Sequence, residues 1–295
     1  IFDIFRSNTK LVSITPASFG HYKNLIGFTG DIICGNLNNI NDLAQLKKYE
    51  FDYIFHHAAI SDTRECNQEI VIKTNVNSFY DLLEIAKLNH STLIYASSAA
   101  TYGNLDSPQV IGNESPENAY GFSKFMMDQI AKRFSIENPE MRIVGLRYFN
   151  VYGQGEYFKG KTSSMIIQLA HQILDGKAPR LFENSHQISR DFIYIDDVIQ
   201  ANIKACLSKF NGAYNVGTGI SRSFQEIADI LQKEFKTQFQ TEYFPNPYQG
   251  YQAHTRADIS ASIKNLDFSP RFSLESGIKE YIPEILRLHN TDISC

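Results

Sequence analysis

The stretch Tyr120-Gly121-Phe122-Ser123-Lys124 places a tyrosine and a lysine four positions apart, and Tyr95-Ala96-Ser97-Ser98 lies about two dozen residues upstream. On a helix, a spacing of four puts both side chains on one face. A nearby ammonium lowers the pKa of a tyrosine, because it favours the phenolate. With a serine hydroxyl beside them, Ser98, Tyr120 and Lys124 can move a proton on or off a hydroxyl while hydride leaves its carbon. Without further context, the Tyr-x-x-x-Lys pattern also fits an exposed helical pair.

Strand and helix patterns alternate on both sides of this stretch. The sequence predicts strands at 32–34, 51–59, 92–96 and 141–149, and helices at 41–49, 70–88 and 118–136. The strands are dense in apolar residues, as buried parallel strands are. This alternation predicts an α/β fold with a doubly wound parallel sheet, in which ligands bind beside the carboxyl ends of the strands.

The pattern changes after Asn150. An irregular segment at 151–164, rich in Gly, Lys and Ser, precedes shorter elements. Helices are predicted at 165–174, 224–235 and 274–289, strands at 180–182, 191–195 and 214–216, and a loop at 244–252. Asp196 and Asp197 suit the first turn of a further helix, where negative charge is favourable. The second half therefore reads as a smaller mixed α/β lobe.

The chain starts at Ile1-Phe2-Asp3, which has the pattern of the end of a strand. We expect a further strand, a glycine-rich turn and a helix to precede it in a dinucleotide-binding fold. Asp3 is then the acidic residue that binds the adenosine ribose. Arg6 and Lys10 suit a 2′-phosphate, although an ordinary solvated loop explains them equally well.

Composition excludes several classes of function. The chain has 295 residues, is 43% hydrophobic and 20% charged, and carries a net charge of -4. Such a balance offers no basic field for nucleic acid or anionic lipid, and no apolar run reaches the roughly 20 residues of a membrane span. The four cysteines are far apart, which favours neither a zinc site nor a disulfide framework and makes the cytoplasm the simplest compartment. His56 and His57 point to opposite faces of a strand, so we expect no metal site there.

Five motifs resemble the extended short-chain dehydrogenase/reductase family. They are Tyr120-x-x-x-Lys124, the run 95–103 (YASSAATYG), Asn75, the run 146–153 (LRYFNVYG) and the run 190–198 (RDFIYIDDV). The resemblance implies a Rossmann-like domain at 1–153 and 190–217, and a substrate-binding lobe at 154–189 and 218–295. It also implies a nicotinamide cofactor, a nucleotide-sugar substrate held between the two lobes, catalytic Ser98, Tyr120 and Lys124, and a homo-oligomer.

Within that family the chain is most similar to the epimerases that invert C6″ of ADP-heptose for the lipopolysaccharide inner core. The similarity lies in the runs 158–160 (FKG), 177–183 (KAPRLFE), 190–192 (RDF) and 251–258 (YQAHTRAD). It implies NADP as cofactor, with NAD possible, and Lys159 as a second acid/base. The cofactor-binding residues that we expect are Asp3, Ile4, Lys10, His57, Ala58, Ala59, Asn75, Lys124, Val151 and Lys159. The substrate-binding residues that we expect are Ser98, Asn150, Lys161, Gln168, Phe182, Glu183, Asn184, Ser185, Arg190 and Tyr251.

Three alternative functions remain open from the sequence. A nucleotide-sugar 4-epimerase would use the same three catalytic side chains with a roomier sugar pocket. A 4,6-dehydratase fits less well, because those enzymes usually carry Thr-Asp-Glu where this chain has Ser98-Ala99-Ala100. A cofactor-bound protein without catalytic activity fits least, because such proteins tend to lose the tyrosine or the lysine that this chain keeps.

Overall fold

Two compact units make up the chain in the computed structural model, which describes residues 1–3, 21–246, 252 and 254–290. The first unit comprises Ile1–Gly103, Glu114–Arg147 and Asn202–Tyr214. The second comprises Asn104–Asn113, Tyr148–Ala201 and Asn215–Cys295.

Eleven strands lie in the described part of the chain and form four sheets. They are β1 (Phe2–Asp3), β2 (Ile33–Cys34), β3 (Tyr53–His56), β4 (Thr92–Ser98), β5 (Ile143–Tyr148), β6 (Asn150–Tyr152), β7 (Arg180–Phe182), β8 (Ser189–Tyr194), β9 (Gly212–Val216), β10 (Ser221–Ser223) and β11 (Glu242–Phe244). The sheet orders are β1-β2, β3-β4-β5-β9, β10-β8-β6 and β11-β7. Parallel pairing joins β1 to β2, β3 to β4, β6 to β8 and β7 to β11, whereas β8 and β10 are antiparallel.

Helices connect most of these strands. The α-helices of the described residues are α1 (Ile40–Leu43), α2 (Gln68–Val71), α3 (Ser78–Leu88), α4 (Ala119–Glu137), α5 (Met165–Leu174), α6 (Ile195–Leu207), α7 (Phe224–Phe235), α8 (Ser260–Leu266) and α9 (Leu274–His289). The alternation of parallel strands and helices confirms the predicted α/β fold. No described helix is long and apolar enough to cross a membrane.

The central sheet is buried mainly through β4 and β5. Each of these strands has five consecutive buried residues, and because successive side chains point to opposite faces, both faces of the sheet are covered there. Strand β3 differs from the prediction of one buried strand over 51–59. It is shorter, and Tyr53 and Phe55 are 46% and 48% exposed. These two side chains share one face of the strand, which lies at one end of the four-stranded sheet, and that face is left uncovered.

The helix predicted over 70–88 is interrupted. After α2, residues Ile72–Asn77 form a π-helical turn before α3 continues to Leu88. The turn brings Asn75 into the interior, where the side chain is fully buried. Single π turns inside α-helices occur frequently at functional sites.

A second core holds the second unit together. It forms where α5, α7 and α9 pack with β8, with Ile167, Phe192, Ile227 and Ile278 among its buried members. Helix α7 begins with a capping box between Ser223 and Glu226. The sequence did not indicate β10, β11 or α8, which are all short.

Candidate active site

Helix α4 starts against the turn that follows β4. The Asn118 side chain caps the helix and accepts a hydrogen bond from the Gly121 N–H at 2.8 Å. Gly121 lies so close to the Ala100 carbonyl that a Cβ on residue 121 would stand 2.4 Å from that oxygen. Glycine at 121 therefore allows the first turn of α4 to approach Ser98 at the end of β4.

Ser98 and Tyr120 are brought together at this junction. The Tyr120 side chain is half-buried and hydrogen-bonds the Ser98 side chain, and the Ser98 hydroxyl also accepts a hydrogen bond from the Ala100 N–H at 3.1 Å. Burial raises the pKa of Tyr120, and the hydrogen bond with Ser98 partly opposes that rise. The sequence-based expectation of a lowered tyrosine pKa is therefore wrong for the protein alone, because desolvation outweighs the hydrogen bond with Ser98.

Lys124 lies one helical turn after Tyr120 and is 2% exposed. Its Nζ donates a hydrogen bond of 2.7 Å to the Ala96 carbonyl oxygen and stands 5.9 Å from the centre of the Tyr120 ring. Burial lowers the pKa of Lys124 to about 8, although the nearby Asp128 carboxylate raises it. The Lys124 side chain is therefore a cation beside the phenol near neutral pH and becomes a neutral amine in mildly alkaline solution.

Behind Lys124 lies a buried charged cluster that sequence reasoning missed. The Asp128 carboxylate accepts hydrogen bonds from Tyr95 at 2.8 Å, Ser97 at 3.0 Å and Arg147 Nε at 2.9 Å. Arg147, which is 2% exposed, also donates to Tyr102 at 2.9 Å and pairs with Glu114. The signal in the sequence is the position of Asp128, four residues after Lys124 and eight after Tyr120, on the same helical face.

Asn75 connects two parts of the first unit. Its Oδ1 accepts a hydrogen bond from the Ile60 N–H at 2.8 Å, and its Nδ2 donates to the Ile60 carbonyl at 3.0 Å. The same Nδ2 donates to the Ser123 hydroxyl at 2.9 Å, and Ser123 donates to the Tyr120 carbonyl at 2.7 Å. Asn75 thus holds the segment after β3 against the first turns of α4.

Four of the residues expected around a dinucleotide lie at strand ends. Asp3 ends β1, and His57, Ala58 and Ala59 follow β3, where His57 and Ala58 are exposed. His57 hydrogen-bonds Asn202, whereas His56 is buried and stacks on Phe79, so the two histidines face different environments. Ile4 and Lys10, and Arg6 between them, lie outside the described residues.

A nicotinamide dinucleotide fits the side chains that the first unit presents. The Lys124 ammonium carries three N–H donors and, among the described residues, hydrogen-bonds one acceptor, the Ala96 carbonyl. Two donors are therefore available to ribose hydroxyls. Asp3 supplies a carboxylate at the end of a parallel strand, the position from which an acidic side chain accepts from an adenosine ribose.

In the second unit, Asn150 and Val151 lie on β6, beside Phe192 and Ile193 of β8. Lys159 is exposed on a 3-10 helix, Tyr157–Thr162, which interrupts the segment that the sequence predicted to be irregular. Lys161 is on the same helix, and its side chain lies outside the described part. The Gln168 side chain donates to the Ser163 carbonyl at 2.7 Å and so joins α5 to the end of that helix.

A turn after β7 gathers four of the expected substrate-binding residues, Phe182, Glu183, Asn184 and Ser185. Asn184 adopts a φ of 61°, a left-handed conformation that asparagine tolerates. Ser185 is 1% exposed, and its hydroxyl has no hydrogen-bond partner within the described residues. The Phe182 ring packs edge-on against Phe244, 5.0 Å between centres, and Phe244 ends β11, although the sequence predicted it as the start of a loop.

Arg190 is 6% exposed on β8, and its guanidinium lies over the Phe224 ring and donates to the Ser189 carbonyl. Its neighbour Asp191 is fully buried and accepts hydrogen bonds from Thr218, Gly219 and Ala257. These bonds hold Thr218, Gly219 and Ala257 against the residue that follows the arginine. Tyr251 lies outside the described residues.

Among residues 1–3, 21–246, 252 and 254–290, no three His, Cys, Asp or Glu side chains stand close enough together to hold a metal ion.

Comparison with known proteins defines the class. A profile of the NAD dependent epimerase/dehydratase family matches residues 7–217, which is more than half of the chain. The chain belongs to this family, and the resemblance to extended short-chain dehydrogenases/reductases is confirmed.

Several solved structures of nucleotide-sugar epimerases are similar to this chain. The chain is 48% identical to the ADP-L-glycero-D-manno-heptose-6-epimerase of Helicobacter pylori, with 97% of this chain and 86% of that chain covered and a TM-score of 0.86. It is 27% identical to a UDP-N-acetylglucosamine 4-epimerase from Methanobrevibacter ruminantium M1 (86% and 83% covered, TM-score 0.77). It is 25% identical to a UDP-glucuronic acid 4-epimerase from Bacillus cereus in complex with NAD (91% and 86% covered, TM-score 0.78). These relatives identify the chain as an isomerase of the epimerase type.

Proposed function

We propose that this protein inverts C6″ of ADP-D-glycero-D-manno-heptose to give ADP-L-glycero-D-manno-heptose, a precursor of the lipopolysaccharide inner core. The observation that carries the proposal is the arrangement of Ser98, Tyr120 and Lys124 in a chain 48% identical to an enzyme of that name. The three side chains supply proton transfer at a sugar hydroxyl, and the identity extends over almost the whole chain.

The reaction begins at a hydroxyl that Tyr120 deprotonates. A nicotinamide nucleotide, when bound, would supply hydride removal and return at C6″, so that the sugar could pass through a 6″-ketone. Ser98 hydrogen-bonds the reacting oxygen, and the Lys124 ammonium stabilises the phenolate. Because burial raises the pKa of Tyr120 in the protein alone, the phenolate depends on this cation.

Inversion requires that the ketone present its other face. C6″ is exocyclic, so rotation about one single bond is sufficient, and the carbonyl oxygen then points away from Tyr120. We assign the second proton transfer to Lys159, which is exposed on its 3-10 helix. Of the substrate-binding residues proposed, Arg190 offers the forked donors that suit the pyrophosphate, and Phe182, Glu183, Asn184 and Ser185 contact the adenosine.

NADP is the cofactor that we propose, because Arg6 and Lys10 follow Asp3 in the sequence and suit a 2′-phosphate. The test is to release nucleotide from purified protein by denaturation and identify it by mass. Release of NADP would support the proposal, and release of NAD alone would show that NAD is the cofactor instead. We also propose a homo-oligomer acting in the cytoplasm.

The function itself is tested by incubating purified protein, without added cofactor, with ADP-D-glycero-D-manno-heptose, UDP-galactose and dTDP-glucose in parallel. We expect the heptose epimers alone to interconvert, as followed by chromatography of the two epimers. Conversion of UDP-galactose to UDP-glucose without conversion of the heptose would assign a nucleotide-sugar 4-epimerase instead. Loss of water from dTDP-glucose would assign a 4,6-dehydratase.

A further inference from the structure

One buried carboxylate, Glu156, closes the segment that carries Lys159. Its Oε1 accepts hydrogen bonds from the Gly153 N–H at 3.2 Å and the Ser164 hydroxyl at 2.8 Å. Its Oε2 accepts from the Ser164 N–H at 2.5 Å. Gly153 and Ser164 flank the segment on its two sides, so a single side chain joins its start to its end.

Within this closed segment, the backbone of Lys159 is held on both sides. The Lys159 N–H donates to the Glu156 carbonyl at 2.9 Å, and the Thr162 hydroxyl donates to the Lys159 carbonyl at 2.9 Å. Gly160 follows with a φ of 58°, which turns the chain back towards Ser163. The Lys159 side chain is exposed, whereas Glu156, which anchors its helix, is buried with 9% of its surface exposed.

Burying this carboxylate is costly, and burial raises the pKa of Glu156. The hydrogen bonds from Ser164 and Gly153 and the charge of Lys159 oppose that rise. The Tyr281 hydroxyl, on α9, faces the same carboxylate. Burial is the main cause that raises the pKa of this phenol, and the charges of Glu156 and Glu284 raise it further. A neutral glutamine would fit the space at a lower desolvation cost, but only one of its two terminal atoms accepts hydrogen bonds.

We propose that Glu156 is a positioning residue for proton transfer, because it holds the 3-10 helix so that Lys159 is presented in one place. This inference rests on the proposed function, in which Lys159 is the second acid/base. A group that transfers a proton must stand within hydrogen-bonding distance of its target, and misplacement by about 1 Å can cost about 100-fold in rate.

The test is a double-mutant cycle with Glu156→Gln and Lys159→Ala. We expect Glu156→Gln to lower kcat for heptose epimerisation by about 10- to 100-fold, while KM changes by less than about twofold. In the Lys159→Ala background, the same substitution should lower kcat by less than about twofold, because the residue acts through Lys159. Equal losses in both backgrounds would overturn the proposal, and so would full activity of Glu156→Gln.

Glu226→Gln is the matched control, because the Glu226 carboxylate also accepts a hydrogen bond from a serine backbone N–H in this unit, that of Ser223 at the start of α7. We expect it to leave kcat unchanged. If the Glu156→Gln protein does not fold, Ser164→Ala removes one hydroxyl donor from the same carboxylate. It should lower kcat in the wild-type background and not in Lys159→Ala, and loss in both would again overturn the proposal.

Hydrogen exchange separates this inference from the proposed function, because it needs no substrate. In the wild-type protein with its bound nucleotide, we expect the amides of residues 159–164 to be protected, and Glu156→Gln should raise their exchange rates by at least about tenfold. Unchanged exchange in that variant would refute the positioning role even if the enzyme epimerises heptose. A wild-type protein that does not convert heptose would refute the proposed function alone.

Discussion

The ammonium of Lys124 is fixed by a 2.7 Å hydrogen bond to the Ala96 carbonyl, and it stands 5.9 Å from the centre of the Tyr120 ring. Strand β4 thus determines where the cation lies relative to a phenol on α4. Both groups are desolvated, which raises the pKa of the tyrosine and lowers that of the lysine. Each group is therefore easier to ionise when the other carries its charge.

Replacement of Tyr120 by Phe removes the hydroxyl and keeps the ring. We expect kcat for epimerisation to fall by about 10²- to 10⁴-fold, the usual contribution of a positioned acid/base. The circular dichroism spectrum and melting temperature should stay close to those of the wild type. Tyr80→Phe, at an exposed tyrosine that accepts a hydrogen bond from Arg133, is the control. A Tyr120→Phe enzyme with kcat within twofold of wild type would contradict the assignment.

The rate should depend on pH through Lys124, whose pKa burial lowers to about 8. Below that pH the side chain is an ammonium and stabilises the phenolate. Above it the lysine becomes neutral, and the tyrosine, whose own pKa is raised, is then harder to deprotonate during the reaction. We therefore expect kcat to decrease on the alkaline side with a midpoint near pH 8. A profile that is flat up to about pH 10 would show that Lys124 keeps its charge.

Asp128→Asn removes the carboxylate that raises the pKa of Lys124, so the alkaline midpoint should move to lower pH. The substitution also breaks a buried pair with Arg147, and the loss of such a pair costs about 3–5 kcal/mol of unfolding free energy. We expect the lower value, because Glu114 still pairs with the arginine. Denaturant unfolding and the pH–rate profile measure the two effects. Glu84→Gln, on the exposed face of α3, should change neither. A midpoint that stays in place would exclude Asp128 from the electrostatics of the site.

Much of the site was predictable, because it lies on regular elements. The spacing of Tyr120 and Lys124 is meaningful only on a helix, and the structure places both on α4, which Asn118 caps. Asp128 was within reach of the same argument. Glu156 was not, because no periodic pattern relates a glutamate in a glycine-containing segment to an amide eight residues later.

The fold was likewise predictable from the sequence only in part. The strong apolar patterns gave β4, β5, α7 and α9 within a few residues, whereas the π turn at Ile72–Asn77 carries no signal in hydrophobic spacing. It is stabilised by tertiary bonds from Asn75, which depend on residues far away in the sequence. The exposure of Tyr53 and Phe55 also depends on the position of β3 in the sheet rather than on composition.

Asn75→Ala should destabilise the first unit. It leaves the Ile60 N–H and carbonyl without the partners that they have in the wild type, in a buried site, and each lost bond costs about 1–3 kcal/mol. We expect a loss of about 3 kcal/mol in unfolding free energy, measured with urea, and a decrease in kcat because Ser123 next to the catalytic helix turn is released. Asn77→Ala, at an exposed position two residues further on, is the control. Equal stability of the two variants would contradict the linking role of Asn75.

Acid should weaken the second unit through His171. Burial lowers the pKa of this histidine, the charge of His289 lowers it further, and Asp175 partly opposes both. The two rings stack with 3.3 Å between their Nδ1 atoms, where α5 meets α9. Because the folded state disfavours the charged form, unfolding takes up a proton as pH falls below about 6.5, and stability decreases. We expect the melting temperature to fall between pH 7 and 5.5, and His171→Gln to reduce that fall. His186→Gln, at an exposed histidine, is the control and should leave the pH dependence unchanged. If the melting temperature of His171→Gln falls with pH as steeply as that of the wild type, a group other than His171 is responsible.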